Sequence, residues 1–115
     1  MAGDNSEVFE AIATKELLVG DLTVPIRMKK LTGTTGATEN DTTTISHGLT
    51  LSKIISWTIM VEDDNGNLVK EGYTDSAGEE YYAFITSTNV TLELHATNSE
   101  NILSDAITVL IIYEA

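Results

Sequence analysis

Apolar and polar residues alternate with a period of two through much of this chain. Leu22, Val24, Ile26 and Met28 interleave with Asp21, Thr23, Pro25 and Arg27, the signature of a half-buried strand. Gly20-Asp21 lies between two apolar runs and suits a tight hairpin turn. Pro25 cannot donate to a ladder, so this strand belongs at a sheet edge or carries its proline on the unpaired side. Ile55, Trp57, Ile59 and Val61 share one face of a second predicted strand, which ends at the Asn65-Gly66 turn signal. "NLVKEGY" reads as its return strand, "YYAFIT" as a short aromatic strand, and "VTLELHA" as an alternating one. In the final "AITVLIIYEA", Ile107, Val109, Ile111 and Tyr113 face one way. Leu110 and Ile112 face the other, so this strand reads as covered on both sides.

Between the first strand and the rest lies "LTGTTGATENDT", residues 31–42, rich in Thr and Gly. It reads as a linker. The expected organisation is therefore an N-terminal arm or hairpin over 1–30, a linker over 31–42 and a β-sandwich over 43–115. Residues 1–7 read as a polar tail, and "EVFEAIATKELLV" fits a short helix or an extended segment. Closely spaced strands with polar turns give the fold class: all-β, an antiparallel sandwich of jelly-roll or Ig-like type. Its predicted core is Ile55, Trp57, Ile59, Val61, Leu92, Leu94, Val109 and Ile111. "TNSENILSD" is a polar loop whose Ile102 and Leu103 would plug one end.

Composition narrows the function. The chain has 115 residues, no cysteine and a formal net charge of −12. Without cysteine there are no disulfides, thiolate nucleophiles or cysteine metal sites. A strongly acidic surface disfavours phosphate backbones and anionic membranes, so neither nucleic-acid binding nor membrane insertion is expected. The acidic N-terminus lacks the basic and apolar segments of a signal peptide. Four of the six basic residues, Lys15, Arg27, Lys29 and Lys30, lie in the first 30 positions. That less acidic third is a candidate face for a partner or for the acidic body of a neighbouring copy.

Candidate chemistry is thin. His47 sits in a Thr/Ser/Gly turn and His95 on the polar side of a strand, with no metal-ligand spacing and no nucleophile motif. "EDDNGN" offers oxygen ligands, but its Gly comes too early for an EF-hand and Glu71 does not complete the pattern, so it reads as a solvated hairpin tip. No catalytic residue, cofactor or metal is expected, and the chain reads as a non-enzyme. Trp57 reads as a core anchor. Tyr81 and Tyr82 point to opposite faces, so at least one meets solvent, a neighbouring subunit or a receptor.

The order of the pieces carries a resemblance. "TTTISHGLTLSKIISWTIMVEDDNGNLV" resembles the start of small β-sandwich domains in the fibre and appendage proteins of tailed bacteriophages. There, a strand enters a His-Gly-Leu type turn, followed by a polar bridge, an alternating strand and an Asp/Asn-Gly hairpin. "YYAFITSTNVTLEL" and "NSENILSDAITVLIIYEA" are similar to the end of such domains, so the resemblance covers residues 43–115. It implies a virion structural protein, usually a homotrimer, that decorates the capsid or tail or contacts the host surface. The chain departs from a typical fibre in lacking a long shaft, which favours a small decoration, head-fibre or adaptor role. On this reading Leu22, Val24, Ile26, Met28, Leu110 and Ile112 are expected contacts to further copies or to other virion proteins. The alternative is a receptor- or carbohydrate-binding module of a tail fibre, in which Tyr81 or Tyr82, with the loops at 74–80 and 97–105, meets a host glycan.

Overall fold

The computed structural model describes residues 24–115. Leu22, the Gly20-Asp21 turn and the rest of the predicted arm up to residue 23 lie outside them. Seven strands follow in order: β1 (Ile26–Thr34), β2 (Thr42–Ser46), β3 (Ile54–Glu62), β4 (Leu68–Lys70), β5 (Tyr81–Ile85), β6 (Asn89–Leu94) and β7 (Ala106–Glu114). A short 3-10 turn, Leu51–Lys53, precedes β3. One sheet runs β1-β7-β3-β4 and the other β2-β6-β5, with every pairing antiparallel. The sheets pack face to face, so the chain is an all-β sandwich. The first strand pairs with the last and the second with the sixth. The strands between them form two hairpins, β3–β4 in one sheet and β5–β6 in the other.

The inner faces follow the alternation. Ile59, Val61, Ile107, Val109 and Ile111 from the four-stranded sheet meet Tyr81, Val90, Leu92 and Leu94 from the other, all essentially buried. Ile102 is fully buried and closes one end, as its apolar character inside a polar loop predicted. Trp57 packs against this cluster while only half buried. Ile55 does not join it: its side chain is 53% exposed. The cause is a bulge. Ile54 pairs with Tyr113 and Ser56 with Ile112, so one extra residue lies on β3 and Ile54 takes the inward position that strict alternation gave to Ile55.

The predicted linker is corrected too. Residues 31–34 belong to β1, which pairs with β7 without a break from Ile26↔Glu114 to Thr34↔Ala106. Threonine is β-branched and suits a pleated surface. Gly33 is a close-approach residue: a Cβ there would stand 2.8 Å from Cδ1 of Ile45, which reaches over from the second sheet. Only 35–41 is a loop, so the segment from Ile26 is the edge strand of the sandwich and not a separate arm. Pro25 lies immediately before that edge strand, and its carbonyl accepts the Ala115 N–H at 2.9 Å.

Candidate functional site

Strand direction gathers the loops 35–41, 63–67, 71–80 and 95–105 at one end of the sandwich. They are tied together by backbone groups. The Asp64 N–H donates to Asn101 O at 3.0 Å, and the Asn101 N–H to Gly78 O at 2.8 Å. Asn98 Oδ1 accepts the Gly78 N–H at 2.7 Å, and Glu39 Oε2 accepts the Ser99 N–H at 2.9 Å. Thr35 bridges further, donating its hydroxyl to Ile102 O at 2.6 Å and accepting the Asp105 N–H at 2.7 Å. Most of the described acidic residues lie in these loops, whereas Arg27, Lys29 and Lys53 sit toward the other end.

Asp63 is not a solvated turn residue, contrary to the expectation for "EDDNGN". Its side chain is buried, with Oδ1 accepting the N–H groups of Asn65 at 2.9 Å and Asn67 at 2.8 Å. This is an Asx-type brace of the hairpin tip. The rest of the carboxylate faces Glu79, brought in by the loop before β5. Glu79 is only 8% exposed, and no hydrogen-bond donor among the described residues reaches its Oε1. The Asp63 carboxylate, then burial, pushes the Glu79 carboxyl up to about 6. The proton held on Glu79, then the Asn67 N–H, draws Asp63 down. Glu79 therefore keeps its proton up to about pH 6, where Asp63 is already ionised. Around them Asn67, Leu68, Val69, Lys70, Tyr73 and Ser76 complete a cavity of about 430 Å³.

A second acidic pair lies beside the first. Burial, and then the Asp64 carboxylate, pushes Asp105 up to about 6, with Asp63 and Glu62 adding to the repulsion. A carboxyl whose folded pKa exceeds its unfolded value of 3.8 binds more protons in the folded state. The stability it contributes is complete below about pH 4 and is lost as pH rises through about 6. The thermal midpoint of the wild-type chain is therefore expected to fall between pH 5 and pH 7.5. Asp105→Asn should raise the midpoint at pH 7.5 and flatten part of that slope. A midpoint unchanged at pH 7.5 in the variant would remove Asp105 as a cause.

The two histidines share no site. His47 follows β2 at the end where Ser46 pairs with Asn89, while His95 follows β6 at the opposite end. His47 is fully buried and satisfied: Nδ1 accepts the Leu49 N–H at 3.0 Å, so Nε2 carries the proton to Thr86 O at 2.9 Å. Lys29 Nζ donates to the His47 carbonyl at 2.6 Å, and Gly48 takes a positive φ of 65° to turn the chain toward β3. His95 lies 3.9 Å from Glu80 Oε1 and tilts against the Tyr82 ring, while Tyr82 donates its hydroxyl to Glu80. Among the described residues no three His, Cys, Asp or Glu side chains converge as a metal cluster.

Tyr81 is corrected from a receptor contact to a core residue. It is fully buried, and its hydroxyl donates to Val69 O at 2.6 Å, joining β5 of one sheet to β4 of the other. Tyr82 and Phe84 take the outer face of the three-stranded sheet, 44% and 43% exposed, opposite Glu93 and Thr91. The spacing of two between Tyr82 and Phe84 places both rings on one face.

The remaining predicted contacts fall on the outer face of the four-stranded sheet. Leu110 lies between Lys30 and Thr58, and Ile112 between Met28 and Ser56, both half-buried, with no second layer above them among the described residues. Ile26 shares this face at the strand end, and Val24 precedes it, exposed. Met28 is 65% exposed on β1, and Leu68 64% exposed on β4 beside Glu62. Among the described residues no helix is long and apolar enough to cross a membrane. Comparison of the chain with protein-family models, curated proteins and solved structures finds no match, which leaves its own geometry to carry the functional reading.

Proposed function

We propose that this chain is a non-enzymatic structural module that assembles with further copies of itself, as a capsid-decoration or short-fibre component of a bacteriophage particle. The observation that carries the self-assembly is the outer face of the four-stranded sheet. There, Met28, Leu110, Ile112, Met60 and Leu68 lie on adjacent strands with none of the described residues packed over them as a further layer. Contiguous exposed apolar surface of this kind marks interaction sites. Copies of a chain with net charge −12 repel one another, so they meet best where negative charge is thinnest. This face carries Lys30 and Lys70 among its apolar side chains, with Glu62 and Glu114 only at strand ends. The particle setting follows the resemblance of residues 43–115 to phage appendage domains, whose usual state is a homotrimer. Light scattering of the purified chain at micromolar concentration is the test. A trimer is expected, and a stable monomer would reject the assembly reading.

A second reading has its own observation. Tyr82 and Phe84 stand two residues apart on the outer face of the other sheet, beside Thr91, Glu93 and His95. Exposed rings flanked by hydroxyl and carboxylate groups suit the apolar and hydroxylated faces of a sugar. Binding on a glycan array that disappears in a Tyr82→Ala, Phe84→Ala double variant would favour a receptor-binding module. Capture of the chain by purified particles, with an array that stays blank, would favour decoration.

A further inference from the structure

We propose that the open edge of β1 is a strand-addition site whose occupant is this chain's own segment 9–19, returned along it by the Gly20-Asp21 turn.

β1 pairs with β7 on one side, and among the described residues no strand pairs with it on the other. The phase of its hydrogen bonds can be read at both ends of the ladder. The Thr35 N–H donates to Asp105 O at 2.8 Å, and the Ala115 N–H to Pro25 O at 2.9 Å. Both bonds continue the register that runs from Ile26↔Glu114 to Thr34↔Ala106. Antiparallel partners alternate between hydrogen-bonded and non-hydrogen-bonded pairs. Arg27, Lys29, Leu31 and Gly33 therefore turn their backbone groups to β7, and Ile26, Met28, Lys30 and Thr32 turn theirs to the open side. The open row ends where the Thr43 hydroxyl reaches Thr34 O at 3.4 Å. A row of N–H and C=O groups of this kind is a template for another strand. Pro25 does not interrupt it, because its missing N–H falls on the β7 side.

The turn supplies the matching phase. In a hairpin with a two-residue loop the flanking residues, here Val19 and Leu22, form a hydrogen-bonded pair. Counted from that pair, the next hydrogen-bonded positions reach Ile26, Met28, Lys30 and Thr32, opposite Lys15, Ala13, Ala11 and Phe9. These are the β1 positions that β7 leaves open; a turn shifted by one residue would present the set that β7 already uses. Charge agrees with the pairing. β1 carries Arg27, Lys29 and Lys30 and no acidic residue, whereas residues 1–23 hold five acidic residues against Lys15. In this register Glu16 and Glu10 fall diagonally across from Arg27 and Lys29, within the reach of cross-strand pairs. Leu17 falls opposite Val24 on the Met28 side and widens the apolar face assigned above to assembly, although the pairing itself does not rest on that assignment.

Amide exchange of the full wild-type chain, followed residue by residue by NMR, tests the edge. The N–H groups of Met28, Lys30 and Thr32 should exchange as slowly as that of Leu31; exchange as fast as in the open loops would overturn the proposal. The register is tested by introduced cysteines, which report cleanly because the chain has none of its own. Ala13→Cys with Met28→Cys places two thiols on directly opposite residues, about 5.5 Å apart at Cα and within disulfide reach. Oxidation should close this pair within a single chain. Thr14→Cys with Met28→Cys points the thiols to opposite faces and should leave both free. Circular dichroism under reducing conditions checks that both double variants fold. Disulfides formed equally in the two variants, or in neither, would overturn the register. A disulfide between chains would give the edge to a second copy's segment and overturn pairing within the chain.

Discussion

Replacing Tyr81 with alanine is expected to cost about 3–5 kcal/mol of folding stability, whereas Tyr82→Ala should change stability by less than about 0.5 kcal/mol. The difference comes from parity along β5. Tyr81 is fully buried in the core cluster, opposite Leu94, and its truncation leaves a void between the sheets. It also removes the hydroxyl that donates to Val69 O. A domain of this size has about 5–15 kcal/mol in total, so the variant should melt far earlier or be partly unfolded at room temperature. Tyr81→Phe separates the two contributions. It keeps the ring and loses only the hydrogen bond, for about 1–2 kcal/mol. Urea unfolding of the three variants checks the order. A Tyr82 variant as damaged as Tyr81→Ala would mean that the strand is turned over.

The same pair of tyrosines shows where sequence reading stops. Alternation says that neighbours on a strand face opposite ways, and it placed Val90, Leu92 and Leu94 together correctly. For two identical residues it cannot say which one faces inward; the register with β6, Tyr81 opposite Leu94 and Tyr82 opposite Glu93, decides that. Ile55 failed for a related reason, because a bulge inserts one residue and carries no composition signal in "KIISW". The linker reading failed because Thr and Gly were weighed as loop formers. In β1 they serve as strand residues, and Gly33 leaves room for Ile45. Least legible was the Asp63–Glu79 pair. The hairpin turn was visible in Asn65-Gly66, and the carboxylates were visible as charge. That the 71–80 loop folds back to bury one carboxyl against the other is a tertiary fact with no local pattern. By contrast, that Leu110 and Ile112 turn away from the face of Val109 and Ile111 was legible, since alternation alone separates the two parities of a strand.

Met28→Glu is expected to abolish the proposed self-assembly while leaving each copy folded. In the isolated chain Met28 is 65% exposed on an edge strand, so a charge there costs little; surface substitutions stay within about 0.5 kcal/mol. In an assembly that closes over the outer face, the same carboxylate would be buried against Ile112 and its counterparts. An uncompensated buried charge costs about 3–5 kcal/mol, which weakens association by roughly a hundred-fold or more per contact. Lys30 lies two residues away on the same face and would offset part of this. Ile112→Glu should dissociate the assembly as strongly, but at some expense to the monomer, because Ile112 is half-buried in the central strand β7. Light scattering should then report single chains at micromolar concentration for both variants, with circular dichroism of wild-type form for Met28→Glu. An assembly that survives both substitutions must be built on another surface, and the outer face of the Tyr82–Phe84 sheet would be the next to test.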